Sequence, residues 1–298
     1  MGSRYWELTV AVPPDASEGL TNFVWELGAL GVVEEENSSE RAQLRAFFPD
    51  VAERSAIVTS IDVYLGALQS LGFARAGAPV VAAVADEDWA QAWRAHFAPM
   101  AIGHRLLVAP PWETPPDADG RLVLTLEPGR AFGTGQHGTT AGCLELLETI
   151  VERARPARAI DLGTGSGILA IAAARLGVPM ILAIDSDPDA IAAATANVER
   201  NGLARRVTCE VGDAAIVAAA AAPLVLANLL AAAHRALAPS YARLVTSGGT
   251  LVAGGSLDGE ADDVTAVLAG QGFQRQTARS IDGWTTLAYE HAPLHDRA

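Results

Sequence analysis

A carboxylate, three glycines and a second carboxylate stand at fixed spacing in the middle of this chain. Ala159-Ile160-Asp161-Leu162-Gly163-Thr164-Gly165-Ser166-Gly167-Ile168-Leu169 reads as a buried strand, a glycine-rich turn and the first turn of a helix. Eighteen residues past Gly167, the apolar run Ile181-Leu182-Ala183-Ile184 ends in Asp185. Glycine lets the backbone approach a ligand and adopt positive φ without a side-chain clash. A carboxylate at the end of the next strand can accept both hydroxyls of a ribose. Together these describe a nucleoside-binding βαβ unit. The dinucleotide fingerprint Gly-x-Gly-x-x-Gly, which seats pyrophosphate on a helix N-terminus, is not met. Glycines fall at 163, 165 and 167, and Ile168 stands where that fingerprint needs glycine. Asp161, two residues before the first glycine, is also unwelcoming to phosphate. Taken alone, such glycines also suit an ordinary strand–helix turn; the flanking Asp161 and Asp185 favour the ligand site.

Three further strand ends carry polar groups. In Asp185-Ser186-Asp187-Pro188 the helix starts at Asp187-Pro188, with proline in its first turn. Asp185 therefore has no capping duty and is free for a ribose. Ala227-Asn228-Leu229-Leu230 closes the apolar run Pro223-Leu224-Val225-Leu226. An asparagine at the mouth of a buried strand costs stability unless its amide is satisfied, so Asn228 is either a turn residue or a site residue. Val211-Gly212-Asp213 ends another strand, where Asp213 could reach an adenine. Upstream, Glu127-Pro-Gly-Arg-Ala-Phe132-Gly133-Thr134-Gly135-Gln-His137-Gly138-Thr139-Thr140 gathers four glycines, hydroxyls and a histidine before a helix. It lacks the Gly-Lys-Ser/Thr of a phosphate loop, and His137 has no second metal ligand at helical spacing. It reads as a substrate or cofactor lid carrying Phe132, Gly133, Thr134 and His137, with Thr140 as a hydroxyl at the helix start.

These groups need an α/β scaffold, and the hydrophobic pattern supplies one. Strands are expected near 121–127, 158–163, 180–185, 206–211, 223–228 and 249–254, with helices between them after residue 138. Alternation of this kind predicts a mainly parallel sheet covered on both faces. A closing pair near 273–280 and 284–290 is separated by Ile281-Asp282-Gly283, a hairpin signal that makes the last strand antiparallel. Ala214 to Ala222 reads as a short helix. Before residue 87, Trp6, Leu8, Val10 and Val12 alternate with Tyr5, Glu7, Thr9 and Ala11, and the order βαββαβ suggests a ferredoxin-like module. Residues 87–116 read as a connector, with Trp89, Trp93 and Phe97 on one helical face as packing. The expected division is a ferredoxin-like recognition domain over 1–86, the connector, and a cofactor-binding domain over 117–298.

Composition narrows the function. A length of 298 residues suits roughly two domains of about 100–200 residues each. No apolar run reaches the roughly 18 residues of a membrane helix, and the first residues lack the basic and apolar regions of a signal peptide. Cys143 and Cys209, the only cysteines, have no metal-ligand spacing, so no metal is expected and a cytoplasmic location is. A net charge of −14 argues against tight nucleic-acid binding and permits a basic protein partner. All 21 basic residues are arginine, for which a GC-rich genome is the plain explanation.

Asp161-x-Gly-x-Gly-x-Gly resembles the first motif of S-adenosylmethionine (AdoMet) methyltransferases, whose ligand carries an amine and a sulfonium and no phosphate. The resemblance sharpens when other strings are added: Pro128-Gly129-x-Ala-Phe-Gly-Thr-Gly-x-His-x-Thr-Thr, Asp185-x-Asp-Pro, Ala227-Asn228-Leu, Trp89-x3-Trp93-x3-Phe97 and Gly283-Trp284. Together these resemble the bacterial ribosomal protein L-eleven methyltransferase family, PrmA, over nearly the whole chain. The resemblance implies a small N-terminal domain that grips the ribosomal protein. It implies a seven-stranded, Rossmann-like domain that methylates the α-amino group and lysine ε-amines. Carried over by motif, the AdoMet contacts are Thr140, Gly163, Asp185 and Asn228; Asp161, Gly165 and Asp213 join them by position. Ala222-Pro223 replaces an acidic residue usual in the family, and Ala253-Gly254-Gly255-Ser256-Leu257 departs from its Gly-Ile-Leu.

Methyl transfer to nitrogen needs alignment and an unprotonated amine more than it needs an acid, and no side chain stands out as a strong base. Competing readings are a nucleic-acid or glutamine methyltransferase, a non-catalytic ribosome-binding adaptor and a dehydrogenase. Those of the first kind that resemble this chain use Asn-Pro-Pro-Tyr, whose ring stacks on a planar target, where this chain has Asn228-Leu229-Leu230-Ala231 and no ring. An adaptor has no need of Asp161, Asp185 and Asn228 together. A dehydrogenase is disfavoured by Ile168.

Overall fold

A computed structural model of the chain describes residues 5–13, 17, 19–21, 23–24, 27–29, 31–38, 41–49, 52–70, 73–74, 77–84, 98–113, 118–127, 138–218 and 220–292. The chain divides into two compact units, residues 1–98 with 128–130 and residues 99–127 with 131–298.

The first unit is built on alternation. In β1 (Tyr5–Val12), Trp6, Leu8, Val10 and Val12 are buried while Glu7, Thr9 and Ala11 are half-buried. A pleated strand sends successive side chains to opposite faces, so this pattern gives it one core face. β2 (Gly31–Ser38), β3 (Arg41–Pro49) and β4 (Val80–Val84) complete an antiparallel sheet of order β2-β3-β1-β4. Helical residues between 17 and 24 and helix α1 (Arg54–Ser70) supply Leu20, Val24, Ile57 and Ile61 to its core. This strand order and βαββαβ succession is ferredoxin-like.

The second unit holds two sheets. Residues 100–109, inside the stretch read as a connector, form β5 (Met100–Ile102) and β6 (Leu106–Ala109). With β7 (Leu122–Thr125) they make a three-stranded sheet of order β5-β6-β7. Ile102, Leu106, Val108 and Leu124 join the same core as the helices that follow. The strand expected at 121–127 thus belongs to this accessory sheet and not to the main one. Trp89, Trp93, Phe97 and the lid residues 128–137 lie outside the described residues.

The main sheet has seven strands. They are β8 (Arg158–Leu162), β9 (Met180–Asp185), β10 (Val207–Val211), β11 (Ala222–Asn228), β12 (Val245–Leu257), β13 (Phe273–Ile281) and β14 (Trp284–His291), in the order β10-β9-β8-β11-β12-β14-β13. β14 runs antiparallel to both neighbours; the other strands are parallel to one another. Asp282 and Gly283 make the final turn with φ of 52° and 81°. Positive φ at both central residues is the geometry of a tight hairpin whose twist matches its strands.

Both faces of the sheet are covered. Along β11, Leu224 and Leu226 enter one core while Val225 and Ala227 enter the other. Helices α2 (Gly138–Ala154) and α3 (Ile168–Leu176) lie on the first face; α5 (Ala231–Leu244) and α6 (Ala261–Ala269) cover the second. Helix α4 (Pro188–Arg200) contributes Val198 to the first core.

The helix expected over Ala214–Ala222 does not form: residues 214–216 are a turn. Carbonyls that a helix would use are taken from outside. Ala215 O accepts from Ser240 Oγ at 2.9 Å, and Val217 O from Arg243 Nη1 at 2.6 Å.

Candidate active site

The strand order reverses between β8 and β11, whose following helices pack on opposite faces. In open α/β sheets a ligand crevice opens outside the carboxyl ends of the strands at such a reversal. Asp161 and Asn228 stand at those two ends, and Asp185 ends the neighbouring β9.

The glycine turn is held by backbone bonds. Gly163, Gly165 and Gly167 have φ of 68°, 52° and 83°. The N–H groups of Gly163 and Thr164 both donate to Ile184 O, at 2.8 and 3.0 Å. A Cβ on Gly163 would lie 2.5 Å from Leu229 Cδ2. Gly163 therefore makes room for Leu229, a residue that the sequence motifs leave unassigned, and side-chain packing across the strand reversal is what reveals it.

Asp185 is less idle than the sequence implied. Its Oδ2 accepts the Gly165 N–H at 2.9 Å and its Oδ1 the Asp187 N–H at 3.1 Å. Each oxygen keeps a lone pair, so the carboxylate is fixed in place with acceptor capacity left over. Asp187 takes the capping role, accepting the Asp189 N–H at 2.8 Å with Pro188 in the first turn.

Asp161 is buried, with 1% of its surface exposed. Its Oδ2 accepts from Thr164 Oγ1 at 2.6 Å and from the Ala170 N–H at 3.1 Å, while its Oδ1 is buried without a hydrogen-bond partner. Burial raises its pKa to about 6, against the lowering effect of those two bonds; the charge of Asp185 adds to the rise. A carboxyl whose folded pKa is raised costs stability above that value and nothing below the unfolded value near 4. At about 1.4 kcal/mol per pKa unit, the cost above pH 6 is roughly 2–3 kcal/mol in the ligand-free chain. Asp161→Asn, which keeps an acceptor for Thr164 and Ala170, is expected to raise the thermal midpoint at pH 7.5 and to lose that advantage at pH 4. Thermal unfolding at the two pH values checks it; equal midpoints at pH 7.5 would remove the buried charge from the account.

Asn228 is positioned from across the unit. Its Nδ2 donates to Thr139 Oγ1 and Thr140 Oγ1, each at 3.3 Å, while its Oδ1 is buried and unpartnered. The two threonines open α2, so the helix after the glycine-rich segment is what aims the amide. Thr140 and Asn228 are thereby brought together, and Thr139 joins them. Gly254 pairs with Asn228 in register, and a Cβ there would stand 2.9 Å from Asn228 Oδ1 and overlap Cys143 Sγ. Burial pushes the Cys143 thiol up to about 12, so that sulfur is an uncharged packing group.

Asp213 is exposed, and its Oδ1 accepts the Ala215 N–H at 2.8 Å, a local turn bond. Phe132, Gly133, Thr134 and His137 lie outside the described residues. The sequence reading also missed Asn197 and Asn201. Asn197 Nδ2 donates to Ser166 O of the glycine turn at 2.9 Å, and its Oδ1 accepts the Glu127 N–H at 3.0 Å. Asn201 bonds both backbone groups of Thr125, accepting at 3.0 Å and donating at 2.7 Å. Two asparagines four apart, one in the last turn of a helix and one capping it, are a signal that could have found them.

Asp161 Oδ1 and Asn228 Oδ1, buried without a hydrogen-bond partner, and the anchored Asp185 carboxylate set acceptor oxygens at the ends of three neighbouring strands. Such a set suits a ligand rich in donors and positive charge.

Comparison with known proteins bears on that ligand. The family model described as ribosomal protein L11 methyltransferase (PrmA) matches residues 4–292. A ribosomal protein L11 methyltransferase of Pelobacter propionicus is 35% identical over 316 residues, covering 98% of this chain and 99% of the relative. One from Sorangium cellulosum is 38% identical over 271 residues, covering 89% and 83%. Among solved structures, a ribosomal protein L11 methylase from Lactobacillus delbrueckii subsp. bulgaricus superposes with a TM-score of 0.61 at 27% identity. That match covers 66% of this chain and all of that one.

Proposed function

Because this chain belongs to the ribosomal protein L11 methyltransferase (PrmA) family, we propose that it methylates the α-amino group and lysine ε-amines of ribosomal protein L11, using S-adenosylmethionine. The family is one of AdoMet-dependent protein methyltransferases, and the chain has its Rossmann-like seven-stranded unit preceded by a ferredoxin-like one. The observation that carries the amine reading is the unpartnered Asn228 Oδ1 at the strand reversal.

The residues present fit AdoMet. An unpartnered carboxylate oxygen on Asp161 suits a cationic amine. Asp185, held by the Gly165 and Asp187 N–H groups, suits two ribose hydroxyls. The glycine turn with Gly163 and Gly165 brings backbone close to the ligand, Thr140 fixes the Asn228 amide, and Asp213 stands at the adenine side. AdoMet supplies an electrophilic methyl group on a sulfonium. What this chain's residues do is bind, orient and exclude water. Asn228 Oδ1 accepts an N–H of the incoming amine and turns its lone pair inward. Apolar Leu229, half-buried against Gly163, makes the surroundings poorer in water, which favours the neutral amine over its ammonium form. Alignment of this kind is worth on the order of 7 kcal/mol in well-oriented cases. Water takes the released proton, since no described side chain at the crevice is a base of the needed strength.

The N-terminal unit serves recognition in this proposal, and the net charge of −14 would steer a basic ribosomal protein toward the enzyme. The chemistry takes place on a protein and not on nucleic acid. Among the described residues no helix is long and apolar enough to cross a membrane; a cytoplasmic place follows from the substrate.

Mass spectrometry of purified L11 after incubation with the enzyme and AdoMet tests the function, with methyl groups expected on its amines. Unmodified L11 beside a methylated ribosomal RNA would overturn it. Asp185→Ala is expected to weaken AdoMet binding by about 1.5–3 kcal/mol, the scale of hydrogen bonds to a charged group. Calorimetry on the folded variant reads it directly; unchanged affinity would remove Asp185 from the ribose site.

A further inference from the structure

A histidine is buried behind the loop that carries Asn228. His234 lies on α5 with none of its surface exposed, and both ring nitrogens are engaged. Nε2 is 2.8 Å from Gly254 O and Nδ1 is 2.9 Å from Tyr241 Oη. A carbonyl oxygen only accepts, so Nε2 carries the proton. Nδ1 of the neutral ring then accepts from the Tyr241 hydroxyl. Burial favours these neutral forms, holding the His234 pKa below its ordinary value and the Tyr241 pKa above. The two residues are seven apart, on the face of α5 that enters the second core.

The carbonyl they reach is not a passive one. Gly254 O also accepts the Leu229 N–H at 2.9 Å. One oxygen therefore ties the exit of β11 to β12, and His234 is its second donor. Gly254 pairs in register with Asn228, and the side of Gly254 that lacks a Cβ lies against Asn228 Oδ1. Leu229, the next residue, packs on Gly163 of the glycine turn. An apolar pair at 234 and 241 would fill this core without burying polar atoms, so a fully satisfied polar chain here calls for a function beyond filling space.

We propose that His234, backed by Tyr241, is a positioning residue for methyl transfer. It holds Gly254 and thereby keeps the Asn228 oxygen aimed at the incoming amine. The proposal rests on the role given to Asn228 above. His234 touches neither the amine nor the cofactor; it acts through the Gly254 carbonyl.

His234→Leu is expected to lower kcat roughly 10-fold or more, the direction set by misplacing a reacting group, with the Kd for AdoMet within about twofold of wild type. His234→Gln keeps a donor able to reach Gly254 O and is expected to recover most of that rate. Tyr241→Phe removes a single oxygen and is expected to give a smaller loss of kcat at unchanged Kd; it is the variant to use if His234→Leu fails to fold. In the background Asn228→Ala, the change His234→Leu is expected to add little. Multiplying losses would show that His234 does not act through Asn228. Wild-type kcat in the Leu and Phe variants would overturn the proposal. So would a folded Gln variant no faster than Leu, or a loss of AdoMet affinity as large as the loss of kcat. If Asn228→Ala itself runs at the wild-type rate, the role given to Asn228 has failed and the proposal falls with it; a rate loss at Asn228 with none at His234 overturns the proposal alone. NMR of the unaltered enzyme gives an independent check: an Nε2–H tautomer with unprotonated Nδ1 is expected, and an Nδ1–H tautomer would overturn the arrangement.

Discussion

Asn228→Ala is expected to cut the single-turnover rate of methyl transfer by about 10²-fold or more, the scale of misplacing a reacting group, in a chain that remains folded. The wild-type amide donates to Thr139 and Thr140, so its Oδ1 is left as a buried acceptor. Removing the amide takes away two long hydrogen bonds, each at 3.3 Å, which is why folding should suffer little. Asn228→Asp separates aim from charge. It keeps an acceptor oxygen but adds a negative charge beside the amine, which favours the ammonium form. The Asp variant should therefore be slow near neutral pH and recover in part as pH rises, while the Ala variant gains less. Single-turnover rates at saturating AdoMet across pH decide the matter. A folded Ala variant at the wild-type rate would return Asn228 to a turn residue.

Removing the N-terminal unit should produce the other large effect. A chain covering 99–298 retains both cores of the methyltransferase unit and all of Asp161, Asp185 and Asn228. It is expected to bind AdoMet with little change. Its kcat/KM on intact L11 should fall roughly 10³-fold. That corresponds to losing about 4 kcal/mol of recognition, which two interface residues at about 2 kcal/mol each would supply. The cut must fall near residue 99. A start at 117 would delete β5 and β6, whose Ile102, Leu106 and Val108 are core residues. Wild-type kcat/KM in the shorter chain would show that recognition resides elsewhere.

Strands β8, β9, β11 and β12 were legible because a strand buried on both faces reads as a largely apolar run; the edge strands β10 and β13 are mostly exposed and were legible from their place in the alternation and the closing hairpin. The hairpin at Asp282-Gly283 was legible for a local reason: positive φ at both positions restricts the residue types. β5 and β6 were not legible. They are three and four residues long, and only pairing with each other and β7 makes them strands. The turn at 214–216 was misread as helix, since alanine favours helix locally while Ser240 and Arg243, from a distant helix, claim its carbonyls.

The same division runs through the site. Residue type and spacing alone determined the ligand class: glycines at 163, 165 and 167, Ile168 in the place of a fourth, and carboxylates at 161 and 185 are properties of a short stretch of chain, set by backbone sterics and charge. They also determined that Asn228 ends a buried strand. Which way its amide points was decided only by tertiary structure, because its partners Thr139 and Thr140 lie 89 and 88 residues away. Folding likewise decided that Gly163 accommodates Leu229, that Asp185 is gripped by Gly165, and that His234 reaches the Gly254 carbonyl. Each of these is a contact between separate segments that meet near the carboxyl ends of the strands. Hydrogen-bond direction and close packing there depend on distances of a few ångströms across the sheet, and spacing along the chain does not encode them.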